Sequence, residues 1–344
     1  MGRGLRTLAI AGVVLGVTAG PAWACGGLVG DNGTVSLVRT TTLAAYHGGL
    51  EHYVTAFTFA GGGKEFGSIV PLPGIPTKVE RGGDWTLQRL IRETQPVFEA
   101  ADGVALASPA RSAEVILQTK VDALEITVLK GGADEVGLWA KQHRFFLPPD
   151  APEVLAFYAR RSPIFMAARF DADEARRRGQ NVGDGTPIHL TIPTPDPWVP
   201  LRILTLGRSG GEPIQADVYL LTDREPSLLP SGRPQAFGPN LSGLALQSSQ
   251  EASPQLMKDL RSDKGMGWVP RSGMWLSYLR VAAPARDLHF DLAVDASGQG
   301  TPSRLAAGLE PEGASHRSSI PWALAGGVAL VAAVGLAVTV TRGA

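Results

Sequence analysis

From Val35 to His47 the chain is rich in Val, Leu, Thr and Tyr; Gly48-Gly49 interrupts this run, and Leu50 to Phe59 resumes the alternation. Thr55, Phe57 and Phe59 share one face, Val54, Ala56 and Thr58 the other. Two glycines supply the positive φ that a two-residue turn demands, so the pattern predicts a β-hairpin. Gly61-Gly62-Gly63 ends it, and Phe66–Val70 reads as a further strand running into Pro71-Leu72-Pro73-Gly74-Ile75-Pro76. That proline spacing enforces an extended segment. Asp84 is placed to cap a helix from Trp85 to Glu93, with Leu87, Leu90 and Ile91 on one side and Pro96 stopping it. Glu114–Thr119 and Leu124–Leu129 read as strands. Asp134–Gln142 reads as a short helix facing Val136, Trp139 and Ala140 inward. Asp150 opens a clearer helix, with Pro152 and Glu153 in its first turn and Val154, Leu155, Phe157 and Tyr158 as core candidates.

The second half is β-rich. Ile188–Ile192 leads into the proline-rich stretch Pro193–Pro200, then Leu201–Leu206 and Ile214–Leu221 follow as expected strands. Residues 226–252 show little periodicity and read as a long loop. Ser253-Pro254 opens a helix to Leu260, and Met274–Val281 with Leu288–Val294 make a last strand pair. Strands outnumber helices without β-α-β alternation, which predicts an α+β fold with mainly antiparallel sheet. The segments Val70–Pro76 and Ile192–Pro200 look alike, so two duplicated halves stand as an alternative to one domain.

Both ends are apolar. Arg3 and Arg6 precede an apolar run from Leu8 to Ala19, and Ala22-Trp23-Ala24 supplies a small-x-small cleavage pattern. Residues 1–24 therefore read as a signal peptide cut between Ala24 and Cys25. Residues 320–340 carry no charge and are long enough, at ~1.5 Å per residue, to cross a hydrocarbon core of ~30 Å as a helix. The expected organisation is a signal peptide (1–24), an extracytoplasmic α+β domain (25–295), a polar stalk (296–319), a transmembrane helix (320–340) and a cytoplasmic tail (341–344). Orientation follows from the leader, because basic residues around the span are balanced between Arg317 and Arg342.

The stretches Thr40–Tyr53 (TTTLAAYHGGLEHY), Phe66–Trp85 (FGSIVPLPGIPTKVERGGDW), Pro193–Gly207 (PTPDPWVPLRILTLG) and Asp259–Val269 (DLRSDKGMGWV) resemble the bacterial DUF2330 family, a domain of unknown function seen in secreted and membrane-anchored proteins, mostly actinobacterial. The likeness spans most of residues 25–295. It implies the pattern of leader, large domain and tail anchor, and transfers no catalytic residue, ligand or cofactor. The use of 25 Arg against 7 Lys fits a high-GC genome.

Charge narrows the partners. All 32 acidic residues but only 29 of the 32 basic ones fall in 25–319, a formal charge of −3, which argues against nucleic acid. The one basic run, Arg176-Arg177-Arg178, sits beside Asp171, Asp173 and Glu174 and reads as a solvated helix end. Cys25 is the sole cysteine, so no intramolecular disulfide exists and the fold rests on burial. Lipidation of Cys25 is the alternative to its being the residue left at the cut.

Candidate chemistry is sparse. Gly207-Arg208-Ser209-Gly210-Gly211 matches the nucleophile-elbow pattern, which requires a following helix, and Glu212-Pro213 with a strand follows instead. His47 and His52 share a face as diagonal hairpin neighbours and form a weak candidate metal pair without a third ligand. Asp287, His289 and Asp291 alternate along an expected strand, the low-ranking candidate for a catalytic carboxylate/His site. Trp and Pro in Pro195–Pro200 and Gly267–Pro270 suggest either an aromatic groove for peptide or glycan, or internal packing. No cofactor is expected. The reading is a single-pass protein whose outward domain binds or scaffolds an envelope protein, peptide or glycan; the alternatives are an extracytoplasmic hydrolase and an accessory subunit of a membrane complex.

Overall fold

The computed structural model describes residues 27–30, 33–34, 40–57, 66–95, 115–171, 174, 177–179, 186–233 and 243–309. The expected signal peptide with Cys25, the expected span 320–340 and the tail 341–344 lie outside these residues. No helix among the described residues is long and apolar enough to cross a membrane.

Seven strands form one sheet, in the order β14 (Leu244–Glu251), β15 (Trp275–Pro284), β12 (Pro213–Thr222), β3 (Thr40–His47), β4 (Leu50–Phe57), β10 (Thr186–Pro193) and β6 (Lys78–Arg81). All neighbours are antiparallel except β12 and β3. A six-stranded antiparallel sheet runs β2 (Gly33–Thr34), β1 (Gly27–Gly30), β5 (Phe66–Leu72), β9 (Ile164–Phe170), β8 (Leu124–Lys130), β7 (Val115–Val121). A third, small sheet joins β11 (Trp198–Val199), β16 (Leu292–Asp295) and β13 (Ser227–Leu229). The α+β class with mainly antiparallel sheet is what the structure shows.

Strand alternation sorts the core into layers. Ala44, Tyr53, Leu190 and Val218 of the larger sheet meet Val70, Ile126, Val128 and Met166 of the six-stranded sheet between the two. Their sequence neighbours point the other way. Leu43, Val54, Tyr219 and Leu276 pack under helices α1 (Thr86–Thr94) and α4 (Pro254–Ser262). Ile69, Leu129, Phe165 and Ala167 pack under α2 (Ala133–Gln142) and α3 (Ala151–Ala159). Both large sheets are thus covered on both faces, an order of helix layer, sheet, sheet, helix layer. This explains β9, whose continuous Ile164-Phe165-Met166-Ala167-Ala168 run has no amphipathic signature because neither face meets water.

The expected hairpin is present, with His47 opposite Leu50 and Gly48 and Gly49 at φ of 60° and 80°. Four local expectations change. Leu201–Leu206 is not a strand: Arg202–Thr205 is a 3₁₀ turn, because distant side chains hold its first amides. The expected loop 226–252 contains β13 and β14; β14 is a polar edge strand, so burial does not impose alternation on it. The expected strand from Leu288 starts only at Leu292, after a 3₁₀ turn over Ala285–Asp287. The polar stretch from Ala296 is not a free stalk as far as Leu309: Ala306 and Ala307 are buried against the α2/α3 layer, and Arg161 donates to the Ala306 carbonyl at 2.5 Å.

The capping expectations also change partners. The Asp150 side chain makes no bond to its own helix; its carboxylate accepts from the Gly207 amide at 3.0 and 3.1 Å. Asp84 does not cap α1. The carboxylate that does is Asp263, just after α4, which accepts from the amides of Asp84 and Trp85 (both 3.0 Å) and from the Thr86 hydroxyl (2.8 Å). A Cβ at Gly83 would stand 2.2 Å from Asp263 Oδ2, so the close approach requires glycine there. An anion at a helix start satisfies orphan amides and complements the helix dipole, and this one also ties the two outer helices together. Asp263→Ala is expected to lower the free energy of unfolding in urea by about 2–4 kcal/mol, with Asp263→Asn recovering part of the loss. An unchanged urea midpoint for Asp263→Ala would show that α1 does not depend on this cap.

Candidate functional site

His47 and His52 take the predicted register, yet their side chains part. His47 Nδ1 lies 2.6 Å from Asp223 Oδ1 on the exposed side. His52 turns to His189 on the neighbouring strand β10, Nδ1 to Nε2 2.9 Å, and Trp268 lies flat over it at 3.7 Å between ring centroids and 3° between planes. His189 Nδ1 stands 3.4 Å from Glu80 on β6. The two histidines proposed from sequence as a metal pair are therefore not brought together. Among the described residues no group of three or more His, Cys, Asp or Glu is arranged to hold a metal. Burial lowers His52 to about 4, with His189 adding to the effect, and burial lowers His189 to about 4. Both rings are neutral at neutral pH, as a donor–acceptor pair of imidazoles requires.

Asp287, His289 and Asp291 do not converge either. Asp287 closes a 3₁₀ turn and His289 is exposed, its ring edge-on to Phe290. Asp291 is fully buried. Its Oδ1 accepts from the Tyr158 hydroxyl (2.9 Å) and the amides of Leu201 (2.7 Å) and Arg202 (2.9 Å); its Oδ2 accepts from Arg161 at 2.5 Å. The Arg161 guanidinium lies over the rings of Phe157, Tyr158 and Trp198 at 4.2–4.9 Å. Burial, then the Asp291 charge, pushes the Tyr158 hydroxyl well above its usual range. Asp291 is a structural hub joining α3 to the 3₁₀ turn, its carboxylate engaged by four donors. The Gly207–Gly211 motif lies between that turn and β12, so Ser209 sits in a hairpin-like turn and not on a strand-to-helix elbow. Trp198 is buried beneath Arg161, and Trp268 is engaged with the histidine pair, so both aromatic-groove candidates serve internal packing.

Two features escaped the sequence reading. Glu51 is a carboxylate wholly buried beside Trp198 and Val294 of the small third sheet, on the same strand face as the core residue Tyr53. That placement is the signal that could have found it: an acid at an inward position of an alternating strand. Burial raises the group to about 8, offset in part by the nearby Trp198 backbone amide. Beside it lies a cavity of about 10 Å³ lined by Tyr46, Trp198, Thr222 and Val294, room for one water.

The second feature is a groove of about 350 Å³ where strand ends of the larger sheet meet. Its lining includes Asp223, Arg224, Glu225, Glu251, Met274 and Trp275. Trp275 Nε1 donates to Ser249 Oγ at 2.8 Å, which fixes the indole. Glu225 is engaged by Arg233 at 3.0 Å and Asp223 by His47 at 2.6 Å, while Glu251 is exposed at the end of β14. Three short segments far apart in sequence build this groove, and no one of them carries a motif.

The Glu51 carboxyl binds its proton more tightly in the folded chain than in the unfolded one. Below pH ~4.5 it is protonated in both states and costs nothing; as pH rises towards 8 the unfolded chain releases the proton first, so stability falls. Glu51→Gln is expected to match the parent at pH 4 and to exceed it by about 3–5 kcal/mol at pH 9, read from urea unfolding across that range. A difference that does not vary with pH would show that Glu51 is already ionised in the folded protein.

Comparison with curated proteins found no match. Solved structures of similar outline include a mutated baculovirus P35 after caspase cleavage (9% identity, 74% of this chain and 99% of that one, TM-score 0.37). Another is the caspase-8/P35 complex (10% identity, 74% and 95% covered, TM-score 0.38). Superpositions this loose carry no argument about this chain. The family model described as an uncharacterized protein conserved in bacteria matches residues 19–226, and the strands and helices beyond 226 complete the sheets begun inside that range. By that match, over more than half of its length, this chain belongs to the DUF2330 family.

Proposed function

We propose that this protein is an extracytoplasmic binding module, exported by residues 1–24, tethered to the membrane by residues 320–340, and using the groove at Trp275 as its ligand seat. The carrying observation is the groove itself: about 350 Å³, within the range of small-ligand sites, with a fixed indole wall and a mouth richer in carboxylates than in cations. Asp223, Glu225 and Glu251 against Arg224 favour a positively charged ligand, and the Trp275 indole favours one with an apolar stem. A peptide or amino-glycan bearing a free amine meets both demands. The hydrolase reading through Asp287, His289 and Asp291 loses its support, because Asp291 is consumed in holding the fold.

Calorimetric titration with trilysine and with a fully deacetylated chito-oligosaccharide is expected to give binding that disappears when the amines are acetylated. Glu251→Gln is expected to weaken it by roughly tenfold, about 1.4 kcal/mol. Equal heats with the acetylated ligands, or no effect of Glu251→Gln and Trp275→Ala, would remove the groove as the seat. Topology is read separately. Protease added to intact, wall-stripped cells is expected to degrade the 25–309 region, and its protection would overturn the outward orientation.

A further inference from the structure

Three of the six large apolar side chains exposed among the described residues belong to the layer that covers the six-stranded sheet. They are Leu138 on α2 (48% exposed), Phe146 just after α2 (66%) and Leu305 in the final segment (62%). Each is next in sequence to a buried anchor: Trp139, Phe145 and Ala306. Packing of those anchors fixes the backbone beneath the exposed groups, so their exposure is built into the fold. Phe145 and Trp139 pack with their rings tilted by 44° at 5.7 Å, and Arg144 takes a positive φ of 60° immediately before Phe145, where Phe145 goes in and Phe146 out.

Among the exposed charged side chains of this layer the basic ones outnumber the acidic, while Glu135 and Asp150 are half-buried. Lys130, Lys141, Arg144 and Arg160 are exposed, facing exposed Asp134 and Glu153, of which Glu153 is already paired with Arg202. Phe146 with Lys141 and Arg144 beside it is the combination of aromatic wedge and basic rim that suits a membrane–water interface. The chain also leaves the domain here. Gly308 approaches Phe157 of α3 so closely that a Cβ would meet the ring, and the Leu309 amide donates to the Arg304 carbonyl at 2.8 Å. Ten residues, 310–319, then separate Leu309 from the uncharged run 320–340 and reach at most ~35 Å when extended.

We infer that the α2/α3 layer is a docking face for the bilayer surface, with Phe146, Leu138 and Leu305 entering the headgroup region and Lys141 and Arg144 meeting lipid phosphates. The tether argument rests on the proposed membrane anchor; the exposed apolar and basic side chains do not. The tether leaves the domain from this layer, while the groove at Trp275 belongs to the other sheet.

The test uses the full chain in vesicles of equimolar phosphatidylcholine and phosphatidylglycerol, carrying photoreactive benzoylphenylalanine in place of Phe146, Leu305 or, as control, Lys258 on α4. Lipid adducts measured by mass spectrometry are expected to be roughly tenfold more abundant at 146 and 305 than at 258. Adducts at 146 no more abundant than at 258 would overturn the docking face, and chain–chain adducts at 146 in place of lipid adducts would assign the layer to a second copy instead. Alkaline carbonate extraction of the same vesicles reads the anchor independently. A chain that washes off yet labels lipid at 146 refutes the anchor and keeps the face, and a chain that resists washing without such labelling does the reverse.

Discussion

Both large sheets are covered on both faces, and with no disulfide available the burial in these layers is what holds the domain. The arrangement buries the central strands on both faces, so polar side chains on them enter the interior and must find partners there. The molecule answers this in small, self-contained groups. His52 bonds His189 beneath Trp268; Tyr278 donates to Asp217 at 2.6 Å while Arg280 donates to the Tyr278 hydroxyl; Arg169 on β9 pairs with Glu125 on β8 at 3.6 Å. Glu51 answers it differently: burial raises its pKa so that it keeps its proton at neutral pH.

The same constraint accounts for the two carboxylates that act at a distance. Asp263 and Asp291 each gather several donors from elements far away in sequence, the first on the outer layer of the larger sheet and the second beside α3. Charge-assisted bonds of this kind are stronger than neutral ones and set geometry as well as energy. They explain why chemistry-bearing residues in this chain serve the fold. The two proposed interaction surfaces lie elsewhere: a groove at strand ends on one sheet and an apolar, basic layer over the other.

Short-range physics was legible. Gly48-Gly49 demanded a tight turn, and the alternation on either side placed His47 opposite Leu50. Ser253 caps α4 through its own hydroxyl, accepting from the Leu256 amide at 3.1 Å, as a local N-cap pattern implies. Where the partner was remote, local rules misassigned the element. Leu201–Leu206 alternates like a strand, but Asp291 and the Tyr158 hydroxyl hold its amides in a 3₁₀ turn. Asp84 and Asp150 stand where caps belong, yet one is displaced by Asp263 and the other turns to Gly207. β9 was illegible because a strand buried on both faces has no period.

By itself the sequence determined the α+β class, the hairpin register, the family and the absence of disulfides, because these depend on residue period, turn chemistry and composition. Tertiary structure alone decided which side chains meet. His52 found His189 and not His47, Asp291 was withdrawn from His289 into a buried hub, and three unremarkable segments closed a groove around Trp275. The physical reason is the same in each case. A side chain's direction follows from its own strand, but its partner is set by which strand or loop the layers bring alongside, and that depends on burial summed over the whole domain.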